Sequence, residues 1–333
     1  MITNTRDRIV DYITANRQAR VHDLAKFLGL SHVSIHKQLR QLIADGLLQK
    51  AGKPPLVFYT LVSKTDVSLR AKVEIPKEMS NIIETNFLSI TPDGKLLYGI
   101  GGFINFANLY QKNKPLLSLA QNYKKIIEEK KKNTTPDGWI DATRKLTSTF
   151  KESYVDRLLF QDVYSYPMFG RTKLAKLVMH AKQSESKSLI DQIATLVKPV
   201  IEKVIKKYDI DAIGFIPPTV PRPLQFMDEF QANLNLPLSK IDIVKVMAGD
   251  IPIPQKTLAK LEERILNART SMYLRHTREP SYANVLLIDD VAGSGASFNE
   301  TASKLKGVKI GHNRIIAFAI VGNIKGYDVI RQI

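Results

Sequence analysis

Residues 285–297, VLLIDDVAGSGAS, constrain this chain more than any other stretch. Val285-Leu286-Leu287-Ile288 is a continuous apolar run, the pattern of a strand buried on both faces of a parallel sheet. It ends on two adjacent carboxylates, Asp289 and Asp290. A turn follows, Gly293-Ser294-Gly295-Ala296-Ser297, and then a segment of helical character from Phe298 to Lys306. Strand, glycine-rich turn and helix N-terminus together make a cradle for phosphate. Gly293 and Gly295 let the backbone curl so that amides face an anion, Ser294 and Ser297 add hydroxyl donors, and the helix dipole favours negative charge. The two aspartates would repel that phosphate unless they faced something else, and vicinal sugar hydroxyls or a magnesium ion are their natural partners. The plain alternative is a βα turn without special chemistry.

Four apolar residues, two acids, two apolar residues and a glycine/hydroxyl loop resemble the phosphoribosyl-pyrophosphate motif of type I phosphoribosyltransferases. The resemblance implies that Asp289 and Asp290 hold ribose hydroxyls and that Gly293, Ser294, Gly295, Ala296 and Ser297 hold the 5′-phosphate. Phosphoribosyl pyrophosphate would be the ligand or substrate and Mg2+ the cofactor, reached by Asp289 and Asp290 through the ligand. The sequence departs from the pattern at Gly293, where threonine, or an aspartate base in purine-salvage members, often stands. That speaks against a base-assisted purine reaction.

The flanking sequence supports the same architecture. Ile210–Ile216 (IDAIGFI) reads as a second buried strand. It runs into IPPTVPR, similar to the proline-rich pyrophosphate loop of the ComF branch, with Pro217, Pro218, Thr219 and Arg222 as candidates. A guanidinium binds phosphate bidentately, which suits Arg222. Leu174–Ala181, Ser188–Tyr208 and Leu224–Asn233 read as helices and Ile241–Met247 as a third strand. A long connection, 248–283, carries Gln255, Lys256, Arg264 and Asn267, and ComF-type domains show a similar stretch. In that fold a segment in this position is a mobile hood that excludes water and brings cations to the departing pyrophosphate. A solvated charged helix hairpin is the other reading of it.

The first sixty residues have a different pattern. Thr5–Asn16 reads as an amphipathic helix with Ile9, Tyr12 and Ile13 on one face, and Val21–Leu28 as a second helix with Leu24, Phe27 and Leu28 apolar. Gly29 suits a left-handed helix end, and Ser31 is an N-cap for a third helix to about Asp45. There Ile35, Leu39 and Leu42 form a buried stripe. Leu47–Gln49 and Val57–Leu61 read as two strands joined by AGKPP. This order resembles a winged helix-turn-helix domain over residues 1–62. The resemblance implies DNA as a partner: Ser31, His32, Ser34, His36, Lys37 and Arg40 in the major groove, and wing residues Lys50 and Lys53 on backbone. A winged helix that mediates protein contacts is the alternative.

Charge agrees with polyanion partners. Lys+Arg 49 against Asp+Glu 32 gives a formal net charge of +17 over 333 residues. Residues 1–62 carry nine basic and four acidic groups, the densest excess in the chain. A generally basic, solubilising surface would give the same total. Cysteine is absent, which excludes disulfides, cysteine zinc sites and thiol catalysis. No apolar run reaches the ~18 residues that span a bilayer, and MITNTRDRIV has no signal-peptide core, so a cytoplasmic protein without membrane contact is expected.

Residues 63–160 offer no chemistry. They suggest a hairpin around Pro92-Asp93-Gly94, a helix from Leu117 to a charge run ending at Lys132, and a core in which Phe87, Tyr98, Phe103, Phe106 and Tyr110 are buried. Trp139 is placed between domains. The expected organisation is therefore an α/β protein: a winged helix at 1–62, a middle region at 63–160, and a phosphoribosyltransferase-like domain at 161–333 with a mostly parallel sheet flanked by helices. A homodimer is expected from both ends. Three functions fit: a regulator that senses phosphoribosyl pyrophosphate or a nucleotide, an active ribosyltransferase comparable by architecture with effectors of retron defence modules, or a ComF-like DNA-uptake accessory protein.

Overall fold

The computed structural model describes residues 4–62, 74–247, 249–275 and 281–323. The chain divides into two compact units, Met1–Lys72 and Val73–Ile333. Residues 248 and 276–280 of the expected hood, and the start of the middle region at 63–73, lie outside the described residues.

The first unit is three helices and a hairpin: α1 (Thr5–Asn16), α2 (Val21–Leu28), α3 (His32–Ala44), β1 (Leu48–Lys53) and β2 (Leu56–Leu61). Local chemistry sets the boundaries. Gly29 takes a left-handed conformation (φ 67°) and closes α2, and Ser31 Oγ accepts from the Ser34 amide at 3.3 Å to start α3. The strands pair antiparallel from Leu48↔Leu61 to Lys53↔Leu56, so β1 runs further than the sequence suggested. Gly52 is required there, because a Cβ would meet the Leu56 carbonyl oxygen at 2.1 Å. Ile9, Ile13, Leu24, Ile35, Leu39, Leu42, Leu48 and Tyr59 fill the core. Phe27 does not join it. It is 48% exposed, packed against Tyr12 at 4.7 Å with the Arg8 guanidinium over its ring.

The second unit is a mixed α/β structure. Its N-terminal part comprises α4 (Lys77–Asn86), the hairpin β3 (Leu88–Ile90) and β4 (Leu96–Tyr98), α5 (Gly99–Tyr110) and α6 (Leu116–Asn133). Next come β5 (Ile140–Asp141), α7 (Thr143–Thr149), β6 (Arg157–Val163), the small hairpin β7 (Ser165–Tyr166) and β8 (Gly170–Arg171), α8 (Lys173–Ser184) and α9 (Lys187–Lys207). The remainder is β9 (Ala212–Phe215), α10 (Phe226–Leu234), β10 (Ser239–Ile241), β11 (Ile243–Lys245), α11 (Leu261–Ser271), β12 (Met272–Leu274), β13 (Asn284–Ala292), α12 (Ala296–Gly307) and β14 (Arg314–Gly322).

A six-stranded sheet of order β10-β9-β13-β14-β6-β5 organises the unit. Every pairing is parallel except that of the edge strand β5. Side-chain alternation along β13 splits the core in two. Leu286 and Ile288 face a cluster with residues of α8, α9 and α10, while Val285 and Leu287 face one with residues of α7 and α12. Residues 140–160 of the segment without readable chemistry supply β5 and most of β6 to this sheet, and β6 runs across the expected boundary at 160. Trp139 is 1% exposed inside the core shared with α8 and α9, so it is a core residue of this unit. Phe87, Phe103 and Phe106 are buried as expected, in an aromatic cluster with Tyr123 and Phe169. Tyr98 and Tyr110 are not: they are 38% and 62% exposed, with Tyr98 the last residue of β4 and Tyr110 at the last position of α5.

The strand expected at 241–247 is in fact two. β10 lies in the main sheet, whereas β11 leaves it at Asp242 and pairs antiparallel with β12, which returns from α11. Asp242 fixes the departure: its carboxylate pairs with Arg275 Nε at 2.6 Å and its carbonyl accepts the Arg275 amide at 3.0 Å. Among the described residues no helix is long and apolar enough to cross a membrane.

Candidate anion-binding site

A cavity of about 530 Å³ opens beyond the carboxyl ends of β9 and β13, the place where parallel α/β sheets bind ligands. Its floor runs from the last residues of β13 through the turn into the start of α12, from Asp289 to Phe298. One wall is the segment Ile216–Val220 with Arg222, and another is 254–259 with Arg264; α8 contributes Lys182 and β11 contributes Lys245. Seven charged side chains line it: Lys182, Arg222, Lys245, Lys256 and Arg264 are cationic, Asp289 and Asp290 anionic. That balance suits an anion that also carries hydrogen-bond donors.

The floor follows from its sequence. Four residues fully buried in the sheet, Val285 to Ile288, anchor β13, and the two acids follow them within the C-terminal half of the strand. Gly295 caps α12 at φ 85°, a conformation that disfavours any side chain although a Cβ would find only ordinary contacts with Leu146 and Phe150. Ser294 Oγ accepts from the Ala296 amide at 3.3 Å. The turn therefore presents the N-terminus of a twelve-residue helix to the cavity.

The two carboxylates are unequal. Burial, the charge of Asp290 and the hydrogen bond between them push Asp289 well above the usual carboxylate range. Burial would raise Asp290 as well, but the Lys182 ammonium paired with it, together with hydrogen bonds from Asp289 and Lys182, holds it below its ordinary value. Asp290 therefore ionises first. Burial works against the Lys182 charge, yet Asp290 and then Asp289 outweigh it and raise its pKa. Lys245, 2.6 Å from Thr219 Oγ1, is lowered by burial with Asp289 opposing.

Every candidate of the pyrophosphate motif lines this one cavity: Asp289, Asp290, Gly293, Ser294, Gly295, Ala296 and Ser297, with Pro217, Pro218, Thr219 and Arg222. Of the four hood candidates, Gln255, Lys256 and Arg264 line it too. Asn267 stands behind them. It accepts from Gln255 Nε2 at 3.3 Å and donates to the Ile253 carbonyl at 3.3 Å. Arg264 is 7% exposed and its Nε donates to the Leu258 carbonyl at 2.9 Å, so it braces the 254–259 wall. Sequence reasoning missed Lys182, Lys245 and Lys145. The Lys145 ammonium supports the turn from below through the Gly293 carbonyl at 2.7 Å.

In the first unit, Ser31, His32, Ser34, His36, Lys37 and Arg40 are all exposed on or beside α3, and Lys50 and Lys53 are exposed on β1. Among the described residues no group of three or more His, Asp or Glu side chains could hold a metal ion. Asp289 and Asp290 offer oxygen donors only, which fits a magnesium ion held largely by water and by a ligand's phosphates.

No protein-family model matches the chain. No curated protein matches it either. Among solved structures, a hypoxanthine phosphoribosyltransferase from Staphylococcus aureus matches at 16% sequence identity and a TM-score of 0.23, over 41% of this chain. The match spans 63% of that enzyme's chain, less than two thirds of its length. A likeness of that score carries no inference, and what the cavity can do follows from its own residues.

Proposed function

We propose that the cavity binds phosphoribosyl pyrophosphate with magnesium, as a type I phosphoribosyltransferase domain does, and that residues 1–62 are a winged helix-turn-helix unit that binds DNA. One observation carries the first half. A carboxylate pair, a glycine-turned helix N-terminus and five cationic side chains converge on a single space of about 530 Å³. Few ligands need all three. The amides of 293–297 take the 5′-phosphate and Asp289 and Asp290 accept from ribose hydroxyls. Arg222, with Lys256 across the cavity, donates to the diphosphate. Magnesium, when bound with the ligand, neutralises diphosphate charge and eases departure of that group. For transfer to an acceptor, Arg264 and the 254–259 wall exclude water and keep cations near the leaving diphosphate. The second half is supported by the three helices and hairpin, the Ser31 cap, and the exposed polar face of α3.

Titration calorimetry tests the site. The wild type gives magnesium-dependent binding of phosphoribosyl pyrophosphate, and Asp290→Asn with Ser294→Ala abolishes it. Absence of wild-type binding, or an unaffected variant, refutes the reading. Pyrophosphate release in the presence of a panel of bases identifies a transferase. A ligand-dependent change in DNA affinity without turnover identifies a sensor.

A further inference from the structure

Lys182, in the last turn of α8, touches both halves of the cavity. Its Nζ forms an ion pair with Asp290 Oδ2, and its backbone carbonyl accepts a hydrogen bond from Arg222 Nη1. Three residues on, Glu185 caps α8 at φ 51°, and its Oε2 accepts from the Leu224 amide at 3.1 Å. The end of α8 is thus fastened both to the acid pair and to the proline-rich segment.

The pairing occupies groups that the proposed ligand needs. Asp290 is 7% exposed, and Lys182 takes up an oxygen through which it would accept a sugar hydroxyl. The Lys182 side chain, 40% accessible, faces the same space as Arg222 and Lys256. A ligand that carries both hydroxyls and phosphates satisfies the two residues by separating them. Hydroxyls donate to the Asp290 carboxylate, and the freed ammonium donates to phosphate oxygen. One ion pair is exchanged for two sets of charge-assisted hydrogen bonds, and neither charge is left buried alone. A ligand with hydroxyls but no diphosphate would leave the ammonium stranded and would have to compete with it for Asp290.

We infer that Lys182 is a diphosphate-binding residue of this cavity, held on Asp290 until a ligand's sugar hydroxyls take that carboxylate over. The inference rests on the phosphoribosyl pyrophosphate reading above. It makes the residue selective: Lys182 opposes ligands without a diphosphate and favours those with one.

The test is calorimetric titration of the full chain with three magnesium-containing probes: phosphoribosyl pyrophosphate, inorganic pyrophosphate and ribose 5-phosphate. In Lys182→Met, phosphoribosyl pyrophosphate affinity falls by about tenfold or more, while ribose 5-phosphate binds at least as tightly as to the wild type. Lys182→Arg keeps phosphoribosyl pyrophosphate affinity within about threefold, because charge and donors remain. Equal loss for both sugar ligands would make Lys182 a structural counter-ion and overturn the inference, as would unchanged phosphoribosyl pyrophosphate binding. Since Lys182→Met leaves Asp290 buried without its partner, Lys182→Met/Asp290→Asn is the second variant, compared with Asp290→Asn. Inorganic pyrophosphate has no hydroxyls to release Lys182 in the wild type, but Asp290→Asn frees it. Pyrophosphate therefore binds Asp290→Asn about tenfold more tightly than it binds the double variant, and equal affinities overturn the inference. A wild type that binds none of the probes refutes the reading of the cavity itself. A wild type that binds all three, with no selective loss in the variants, refutes the role of Lys182 alone.

Discussion

The Lys145 ammonium lies 2.7 Å from the Gly293 carbonyl oxygen and 2.6 Å from that of Asn323. One side chain from α7 therefore ties together the ends of two neighbouring parallel strands, β13 and β14, directly beneath the phosphate-loop candidate. Burial, with Arg264 adding repulsion, pulls its pKa down from 10.5 to about 8. The charge is retained at neutral pH because the two carbonyls receive it.

That depressed value makes stability depend on pH with a definite sign. Below about pH 8 folded and unfolded chains both carry the proton, and the folded state bears the full cost of burying it. Between about 8 and 10.5 the folded chain releases the proton while the unfolded chain keeps it, so stability rises with pH across that window. Wild type minus Lys145→Met, measured by denaturant unfolding at successive pH values, is therefore flat from about pH 6 to 7.5 and increases from about 8 to 10. A difference that falls over the upper window would contradict the buried-cation account.

Lys130 makes a second prediction from the same physics. It belongs to the charge run at the end of α6, yet it pairs with Asp162 Oδ1 at 2.8 Å, and Tyr166 OH donates to the same oxygen at 3.4 Å. Burial raises the Asp162 pKa, with Lys130 opposing. Lys130→Met strands a carboxylate in the interior and costs about 3–5 kcal/mol of stability. Lys130→Met/Asp162→Asn recovers most of that loss, because no unpaired charge remains. Chemical denaturation of the two variants distinguishes this from a surface lysine, whose removal would leave stability within about 0.5 kcal/mol.

These lysines show where sequence reasoning stops. The floor of the cavity was legible because its parts are adjacent in the chain: an apolar run, two acids, a glycine turn and a helix start are recognisable without tertiary knowledge. Period and capping revealed the first unit for the same reason, with Ser31 and Gly29 marking helix ends. Lys145 and Lys182 reach the turn from more than a hundred positions away. Each sits on a helix as a long cation, and locally it looks like any solvated lysine. Lys182 in a last helical turn even has a sufficient local explanation in the helix dipole. The break at Asp242 was hidden likewise, since IDIVKV is rich in β-branched residues throughout and only pairing with β12 divides it. Local order is written in neighbours, whereas the polar groups that complete a site are chosen by the fold.

The first unit yields a prediction independent of the cavity. Lys37 and Arg40 are exposed on successive turns of α3, three residues apart on one face, with the buried Ile35–Leu39–Leu42 stripe on the other. If that face meets a duplex, each cation that neutralises a phosphate releases a counterion. Removing one such cation then makes the slope of log affinity against log salt shallower by about 0.9. Lys37→Ala and Arg40→Ala each weaken binding to duplex DNA at low salt, and the double variant flattens the slope by about twice as much as either alone. Neither substitution touches the core, so thermal stability stays within about 0.5 kcal/mol of the wild type. Fluorescence anisotropy across a salt series separates the outcomes. Weaker binding with an unchanged slope would mean that the residues read bases, and unchanged affinity would assign the α3 face to another partner.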